Sequence, residues 1–323
     1  MSEVGNSASL QRRIARVLTS YQVGEIVDIK PASHGIENDN FFIKTRDDER
    51  IRHFVITFVR QPSNSGHLYT PMLETLFRDG LPVAPPLPAN ASIEEPVLLQ
   101  RRLPGRHTIN PTMRQIQGIG RFTARMHRSM ARRNLDLPAH PRTHAWLIAT
   151  TSSWSTALPY LEWRLLEDSI DRIKALLDRH DVQELPRGMI HGDIFRDNVL
   201  FNEHALTGVL DFHHASTGFW LFDLAVIAND WCTDTNGRLD PDRAHTLLKS
   251  YHRIRGLTEQ ELWFFSAFTL YAGVCFWVSR IAANRVEQKH PPVRTKNPDE
   301  FLDIVTQATR HPLYLDPRIL NTS

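Results

Sequence analysis

The stretch His191-Gly192-Asp193-Ile194-Phe195-Arg196-Asp197-Asn198 sets an aspartate five positions ahead of an asparagine. A second aspartate follows in Gly208-Val209-Leu210-Asp211-Phe212, thirteen residues beyond Asn198. These residue types at these spacings suit transfer of a phosphoryl group from ATP to an alcohol. That reaction asks little covalent chemistry of a protein. It needs a group that accepts or orients the hydroxyl proton, and oxygen ligands that hold magnesium against the phosphates. Asp193 is the candidate catalytic base. Asn198 and Asp211 are the candidate magnesium ligands, because Mg2+ takes hard oxygen donors and shares its shell with water and phosphate. A lone His-x-Asp carries little information. Two spacings and three residue types together exceed what an ordinary polar turn and hairpin require.

The neighbours have weaker signals. His191 reads as a residue that orients the loop, and Asp197 as a loop residue beside the ligand Asn198. His213 and His214 follow Asp211 directly; they line an acceptor pocket or lie on the surface, and no third ligand at a recognisable spacing marks a transition metal. Asp223 opens a helix just after the second aspartate strand and reads as a structural acid supporting the loop. Asp230 lies seven residues further, about two helical turns, so it shares a face with Asp223. Asp230 and its neighbour Trp231 are candidates for the acceptor pocket, with a surface carboxylate as the competing reading of Asp230. Towards the N-terminus, the segment from Ser33 to Asn40, with Gly35 and Asn38, is a candidate loop over the phosphates, since backbone amides in a tight turn can cradle phosphate oxygens. A kinase-like third strand carries a lysine for the α- and β-phosphates. Here Thr57 or Phe58 occupies that place; Lys44 or Arg60, with Glu74 as partner, could substitute, or both cations are solvated.

The elements that must position these residues fall into two groups. Apolar spacing predicts a helix over 9–19, strands over 23–30, 40–44 and 53–59 around a charged hairpin tip at 46–50, and a helix over 71–78 ended by Asp79-Gly80. Residues 82–88 read as extended and 96–103 as a strand. After Pro104-Gly105 the period becomes helical, with Met113, Ile116, Ile119, Phe122 and Met126 on one stripe of a helix over 112–133. Further helices are predicted over 158–179, 220–231, 243–253, 259–283 and 299–308, and the motif region 187–213 reads as loop and two short strands. The expected fold class is α+β, with a β-rich lobe over residues 1–103 and a mainly helical lobe over 104–323.

Composition narrows the function classes. The 323 residues are 41% hydrophobic and 23% charged, enough for a sizeable core. Net charge is +2, from 38 basic and 36 acidic residues, and the arginine pairs are short, so nucleic acid is not an expected partner. The two cysteines, Cys232 and Cys275, lie in apolar surroundings without metal or disulfide spacing and read as buried thiols in a reduced compartment. The first residues carry no apolar signal core. The apolar run from Leu262 to Ile281 holds Ser266, Ser279 and Arg280, follows Glu261, and reads as a core helix instead of a membrane span. The expectation is a soluble, cytoplasmic protein acting on a small-molecule alcohol.

The motifs HGIENDNFF, LLQRRLPGRH, HGDIFRDNVLF, GVLDFHHAS and FDLAVIANDWC followed by LDPDRA, in that order, resemble the aminoglycoside/choline kinase superfamily. Within it they are similar to the bacterial homoserine kinases of the kinase-like type. The resemblance runs from about Tyr21 to the end of the chain. It implies a protein-kinase-like two-lobed fold, ATP and Mg2+ as cofactors, and transfer of the γ-phosphoryl group to the side-chain hydroxyl of L-homoserine on the route to threonine. It implies Asp193 as base, Asn198 and Asp211 as magnesium ligands, and Gln100, Arg101 and Arg102 as the adenine hinge. A third strand without lysine is similar to what homoserine kinases of this type show. The chain departs from the pattern with Gly192 where alanine is usual, with His213 and His214 where an aromatic and a smaller polar residue are more common, and with Pro71 at the start of the lobe-one helix. Competing expectations are a choline, amino-alcohol or aminoglycoside phosphotransferase, and a pseudokinase that binds nucleotide without chemistry.

Overall fold

The computed structural model describes residues 3–32, 38–59, 66–91, 93, 95–133, 135–287, 296–315 and 318. They divide into two compact units, Met1–Leu103 and Pro104–Ser323.

The first unit begins with helix α1 (Glu3–Leu18) and strands β1 (Glu25–Pro31), β2 (Asp39–Asp47) and β3 (Arg50–Phe58), continues through helix α2 (Gly66–Arg78) and ends with strand β4 (Val97–Arg101). The strands form one antiparallel sheet in the order β1-β2-β3-β4. Successive side chains of a strand face opposite ways. One face therefore carries Phe41, Ile43, Phe54, Ile56, Phe58 and Leu99, which form a buried core with Ile14, Val17 and Leu18 of α1 and with Tyr21 and Val23. The hairpin tip is tighter than the charged run suggested. Asp47 pairs with Arg50, so only Asp48 and Glu49 turn, with Asp48 at a φ of 52°.

Two expectations in this unit change. Helix α2 starts at Gly66, not Pro71, and passes through Pro71. The proline removes one backbone hydrogen bond, but Met72, Leu73 and Leu76 all bury on one stripe, and that burial holds the helix across the gap. At the third-strand position, Phe58 is in the core and Thr57 is 6% exposed, its hydroxyl donating to Asn40 Oδ1 at 2.7 Å. Neither replaces a lysine. Lys44 pairs with His53 in register, on the sheet face opposite to the α1 core. Among the described residues it makes no ion pair, and Glu74 is exposed and makes none either. Arg60, like Gly35, lies outside the described residues.

The second unit runs α3 (Met113–Met130), α4 (His144–Thr151), α5 (Tyr160–Leu177), α6 (His180–Gln183), β5 (Arg187–Ile190), β6 (Val199–Asn202), β7 (Ala205–Val209), β8 (Ser216–Phe219), α7 (Trp220–Trp231), α8 (Pro241–His252), α9 (Glu259–Glu287) and α10 (Asp299–Arg310). The α3 stripe is buried at Ile116, Ile119, Phe122 and Met126, and the helix opens with a capping box between Thr112 and Gln115. Three short strands, not two, fall within 187–213: β6 pairs with β7, and β5 pairs with β8 just beyond that region, each antiparallel. Helix α4 carries no helical stripe in its sequence; it is set by the Thr143 cap, whose hydroxyl accepts from Trp146 N.

Helix α9 is long and apolar enough to cross a membrane by length and composition, and most of its apolar window is buried against the unit's other helices. Its charge at Glu261 is satisfied internally. The carboxylate accepts from Thr258 N (2.9 Å) and pairs with Arg255 (2.5 Å), while Glu261 N donates to the Thr258 hydroxyl. Cys232 and Cys275 are free and fully buried, and burial pushes both thiols well up.

Candidate active site

The loop between β5 and β6 carries the motif, and two carboxylates of one helix hold its two ends. Asp223, 0% exposed in the first turn of α7, accepts from His191 N at 2.9 Å and from Gly192 N at 2.7 Å. Gly192 adopts φ +76°, a region that disfavours a side chain, and a Cβ there would meet the His214 carbonyl oxygen at 3.2 Å. Two turns along α7, Asp230 accepts from Arg196 N at 2.7 Å and pairs with the Arg196 guanidinium at 3.1 and 3.2 Å. Trp231 adds a third tie from α7, its indole Nε1 donating to Ile194 O at 3.0 Å. The i, i+7 spacing thus spans the loop and pins it on either side of Asp193.

Asn198 and Asp211 come together through the β6–β7 hairpin. Val199 pairs with Val209, and Leu210 N donates to Asn198 O at 2.8 Å, so Asp211 emerges beside the residue that opens β6. His191 reaches the same place, its Nε2 within 2.9 Å of Leu210 O. Asp211 sits at φ 61° and ψ 62°, the left-handed region, which costs a non-glycine residue roughly 1–2 kcal/mol. Such strain persists where surrounding contacts enforce it, and it collects at functional sites. Asn198 donates its amide Nδ2 to both Asp193 O (2.9 Å) and Asp193 Oδ2 (2.8 Å). That bond orients the carboxylate and leaves Asn198 Oδ1 as the ligand-capable atom.

The electrostatics follow from burial. Desolvation raises the Asp193 carboxyl above the usual carboxylate range; His214 and Arg142 pull it back, and Asp211 pushes it further up. Burial by itself would raise Asp223, but hydrogen bonds from the His127 ring and the Gly192 amide hold it below the ordinary value. Burial keeps His127 neutral. The consistent tautomer has His127 Nε2–H donating to Asp223 Oδ2 (3.1 Å) and Nδ1 accepting from the Tyr251 hydroxyl (2.7 Å), a phenol that burial keeps protonated. The ring of Trp220 stacks on His127, centroids 5.3 Å apart. Asp223 thus rests on a dry, satisfied network reaching back to α3 and α8.

The sequence candidates therefore separate into three groups. His191, Asp193, Asn198 and Asp211 meet at one place. His213 lies beside them, its Nε2 at 3.7 Å from Asp211 Oδ1, and His214 borders Gly192. Asp223 sits beneath the loop. Asp230 and Trp231, expected at an acceptor pocket, are occupied otherwise. The Asp230 carboxylate is 12% exposed and committed to Arg196, and Trp231 is 1% exposed with its indole nitrogen used. In the first unit, Gln100 donates Nε2 to Ala84 O (2.5 Å), Arg101 is exposed, and Arg102 donates its backbone N to His53 O while its guanidinium lies 4.0 Å over Phe42. Asn38 stands at the bend before β2. Asp197 pairs with Lys296 at 2.6 Å.

Sequence reasoning missed His127, Arg196, His140 and Arg142. His127 lies on the apolar stripe of α3, one position after Met126, and a polar residue there was the available signal. His140 and Arg142 sit in a proline-containing connection with no pattern to mark them.

Among the described residues no group of three His, Cys, Asp or Glu could hold a metal ion. One amide oxygen and one carboxylate do suffice for Mg2+, which keeps phosphate oxygens and water in its shell, and Asn198 with the partly exposed Asp211 provides that set.

The chain matches the sequence pattern of a family described as the phosphotransferase enzyme family over residues 28–257. It is 36% identical over 273 residues to a homoserine kinase of Pseudomonas aeruginosa, covering 82% of this chain and 84% of that one. It is 34% identical over 283 residues to a homoserine kinase of Cupriavidus pinatubonensis, covering 83% and 84%. Among solved structures, choline kinase LicA from Streptococcus pneumoniae superposes with a TM-score of 0.67 at 13% identity, covering 94% of this chain and 98% of that one. A microcompartment-associated aminopropanol kinase gives 0.63 at 16% identity, covering 92% and 94%. The expected fold, a β-rich region followed by a helical one in the kinase-like manner, is the one these structures share.

Proposed function

Because the chain belongs to the phosphotransferase enzyme family and is an ATP-dependent kinase, we propose that it transfers the γ-phosphoryl group of ATP to the side-chain hydroxyl of L-homoserine, giving O-phospho-L-homoserine. One observation carries the chemistry: Asn198 is bonded to Asp193 and sits, by hairpin register, beside Asp211. The names of the relatives support the acceptor.

In this reading Asp193 accepts the hydroxyl proton of the acceptor as the bond to phosphorus forms. The transition state is loose, so orientation of the oxygen matters more than early proton removal. The raised Asp193 carboxyl suits that role, because a base closer to neutrality gains more from the transfer. Asn198 fixes which carboxylate oxygen faces the alcohol. Asn198 Oδ1 and the Asp211 carboxylate would hold Mg2+, which when bound neutralises phosphate charge. The segment with Gly35 and Asn38, and Gln100, Arg101 and Arg102, are the candidate ATP contacts of the first unit.

The test is ADP release by the purified chain with Mg-ATP and a panel of acceptors: L-homoserine, choline, ethanolamine and an aminoglycoside. Turnover of homoserine is the expected result. Clear turnover of another alcohol without any of homoserine overturns the acceptor. No phosphoryl transfer at all, in both the wild type and Asp193→Asn, would make the chain a nucleotide-binding module without chemistry.

A further inference from the structure

The connection from α3 to α4 crosses the second unit beside the catalytic loop. Thr217 N donates to Pro138 O (2.8 Å) and His140 N to Thr217 O (2.9 Å), so the segment runs along β8. Two residues later the Arg142 carbonyl accepts from the Tyr271 hydroxyl (2.6 Å) and the Cys275 thiol (3.6 Å) of α9. The backbone of Arg142 is thereby anchored, and its side chain is aimed. Its guanidinium lies 4.6 Å over the Phe276 ring, and its Nε donates to Ser279 Oγ at 3.3 Å. Phe276 meets Phe195 edge-on at 4.7 Å, and Phe195 is on the catalytic loop two residues after Asp193.

This guanidinium is unfinished. Nη1 is buried and has no hydrogen-bond partner, and the side chain makes no ion pair among the described residues. A buried donor without an acceptor is costly, and a charged one more so. The other cations packed on the loop are already matched: Arg196 to Asp230, and Lys296 to Asp197. Arg142 thus carries one buried guanidinium donor, Nη1, without an acceptor, on a cation stiffened by an aromatic face in the electrostatic neighbourhood of Asp193. Planar bidentate recognition of a carboxylate is what a guanidinium does best.

We propose that Arg142 binds the α-carboxylate of the acceptor and so selects an amino-acid alcohol over amino alcohols that lack that group. The inference rests on the reading of the chain as a homoserine kinase, and it names the residue that decides between homoserine and its decarboxylated counterpart. The hydroxyl and carboxylate of such an acceptor are a few bonds apart. With the hydroxyl at Asp193, the carboxylate of so short an acceptor needs a cation packed against the same loop, and Arg142, joined to that loop through Phe276 and Phe195, is the one with a donor to spare. A site built to satisfy a charged group rejects the analogue without it, because its own buried donors stay unpaired.

The experiment compares two acceptors that differ only in the carboxylate, L-homoserine and 3-aminopropan-1-ol, with the full chain and Mg-ATP. For Arg142→Met, kcat/KM on homoserine falls by roughly 100- to 1000-fold, chiefly through KM, from loss of the charge-assisted pair. On 3-aminopropan-1-ol the loss is at least about tenfold smaller than on homoserine, and KM for ATP stays level. Arg142→Lys keeps the charge and the apolar stem but not the fork, and lands between. Equal losses on both acceptors, or no loss on homoserine, overturn the inference. If Arg142→Met does not fold, an unchanged preference between the two acceptors in Arg142→Lys overturns it instead. A wild type that phosphorylates 3-aminopropan-1-ol but not homoserine removes the functional reading together with the inference. Homoserine turnover indifferent to Arg142 removes the inference alone.

Discussion

Replacing Asp223 by Asn changes one atom of a buried group that serves three donors. In the wild type Oδ2 accepts from His191 N and His127 Nε2, and Oδ1 from Gly192 N. An amide offers one oxygen and one NH2 in the same space. If the oxygen faces Gly192, the NH2 meets His191 N–H; His127 can adapt by switching tautomer and accepting, but the backbone donor cannot. If the oxygen faces His191 and His127, the Gly192 N–H meets the NH2. Either way one buried backbone N–H is left without an acceptor, at about 1–3 kcal/mol. Loss of the charge weakens the surviving bonds by about 1 kcal/mol more. The expected destabilisation is about 2–4 kcal/mol, a large part of the roughly 5–15 kcal/mol that holds a domain together. Asp223→Ala, which strands all three donors, should cost more. Urea unfolding followed by tryptophan fluorescence reads this as a lower midpoint at unchanged slope, and Trp220, stacked on His127, reports on the network itself. Activity should fall by about 10- to 100-fold with KM for ATP little changed, because the loop shifts while the chemistry remains. A midpoint equal to wild type with full kcat would refute the reasoning, since it would mean the three bonds neither stabilise the loop nor place Asp193.

Other outcomes follow from the same geometry. Asp193→Asn should lower kcat by about 100- to 10000-fold while nucleotide binding, measured by calorimetry, persists; retained turnover would remove Asp193 as the base. In the wild type the acid limb of kcat/KM should lie above the ordinary aspartate value, because burial raises the Asp193 carboxyl and the base is lost by protonation as pH falls; a limb at or below that value contradicts the burial argument. His140 is held to about 3 by burial. Its folded value is depressed, so the unfolded chain binds the proton first and stability declines as pH drops from about 6.5 towards 3. Between pH 7 and 5 His140→Leu should lose about 2 kcal/mol less stability than wild type, and parallel urea curves for the two chains would show the assignment to be mistaken. Asp211→Asn should leave stability nearly unchanged, as asparagine tolerates the left-handed backbone, and should raise the Mg2+ concentration needed for half-maximal rate by about tenfold or more; an unaltered Mg2+ dependence counts against Asp211 as a ligand.

Local patterns in the chain already encoded much of this molecule. Alternation in β2 and β3, the apolar stripe of α3, and the change of period after Pro104 gave the element types and the β-then-α order. The spacing of Asp193, Asn198 and Asp211 singled out the candidate residues; the β6–β7 hairpin, whose antiparallel register brings its ends together, is what returns Asp211 beside Asn198. The distance between Asp223 and Asp230 along one helix was equally readable. What each of them touches was not. His127 is 96 residues from Asp223 and 124 from Tyr251, and Arg142 is 129 from Tyr271. Those pairs exist only because α3, α7, α8 and α9 pack together, and no window of sequence contains both partners. Packing also reassigned Asp230 and Trp231 from pocket lining to loop supports, and carried α2 through Pro71. Periodicity reports the direction a side chain takes from its own backbone; the group waiting there is chosen by helices that arrive from elsewhere in the chain.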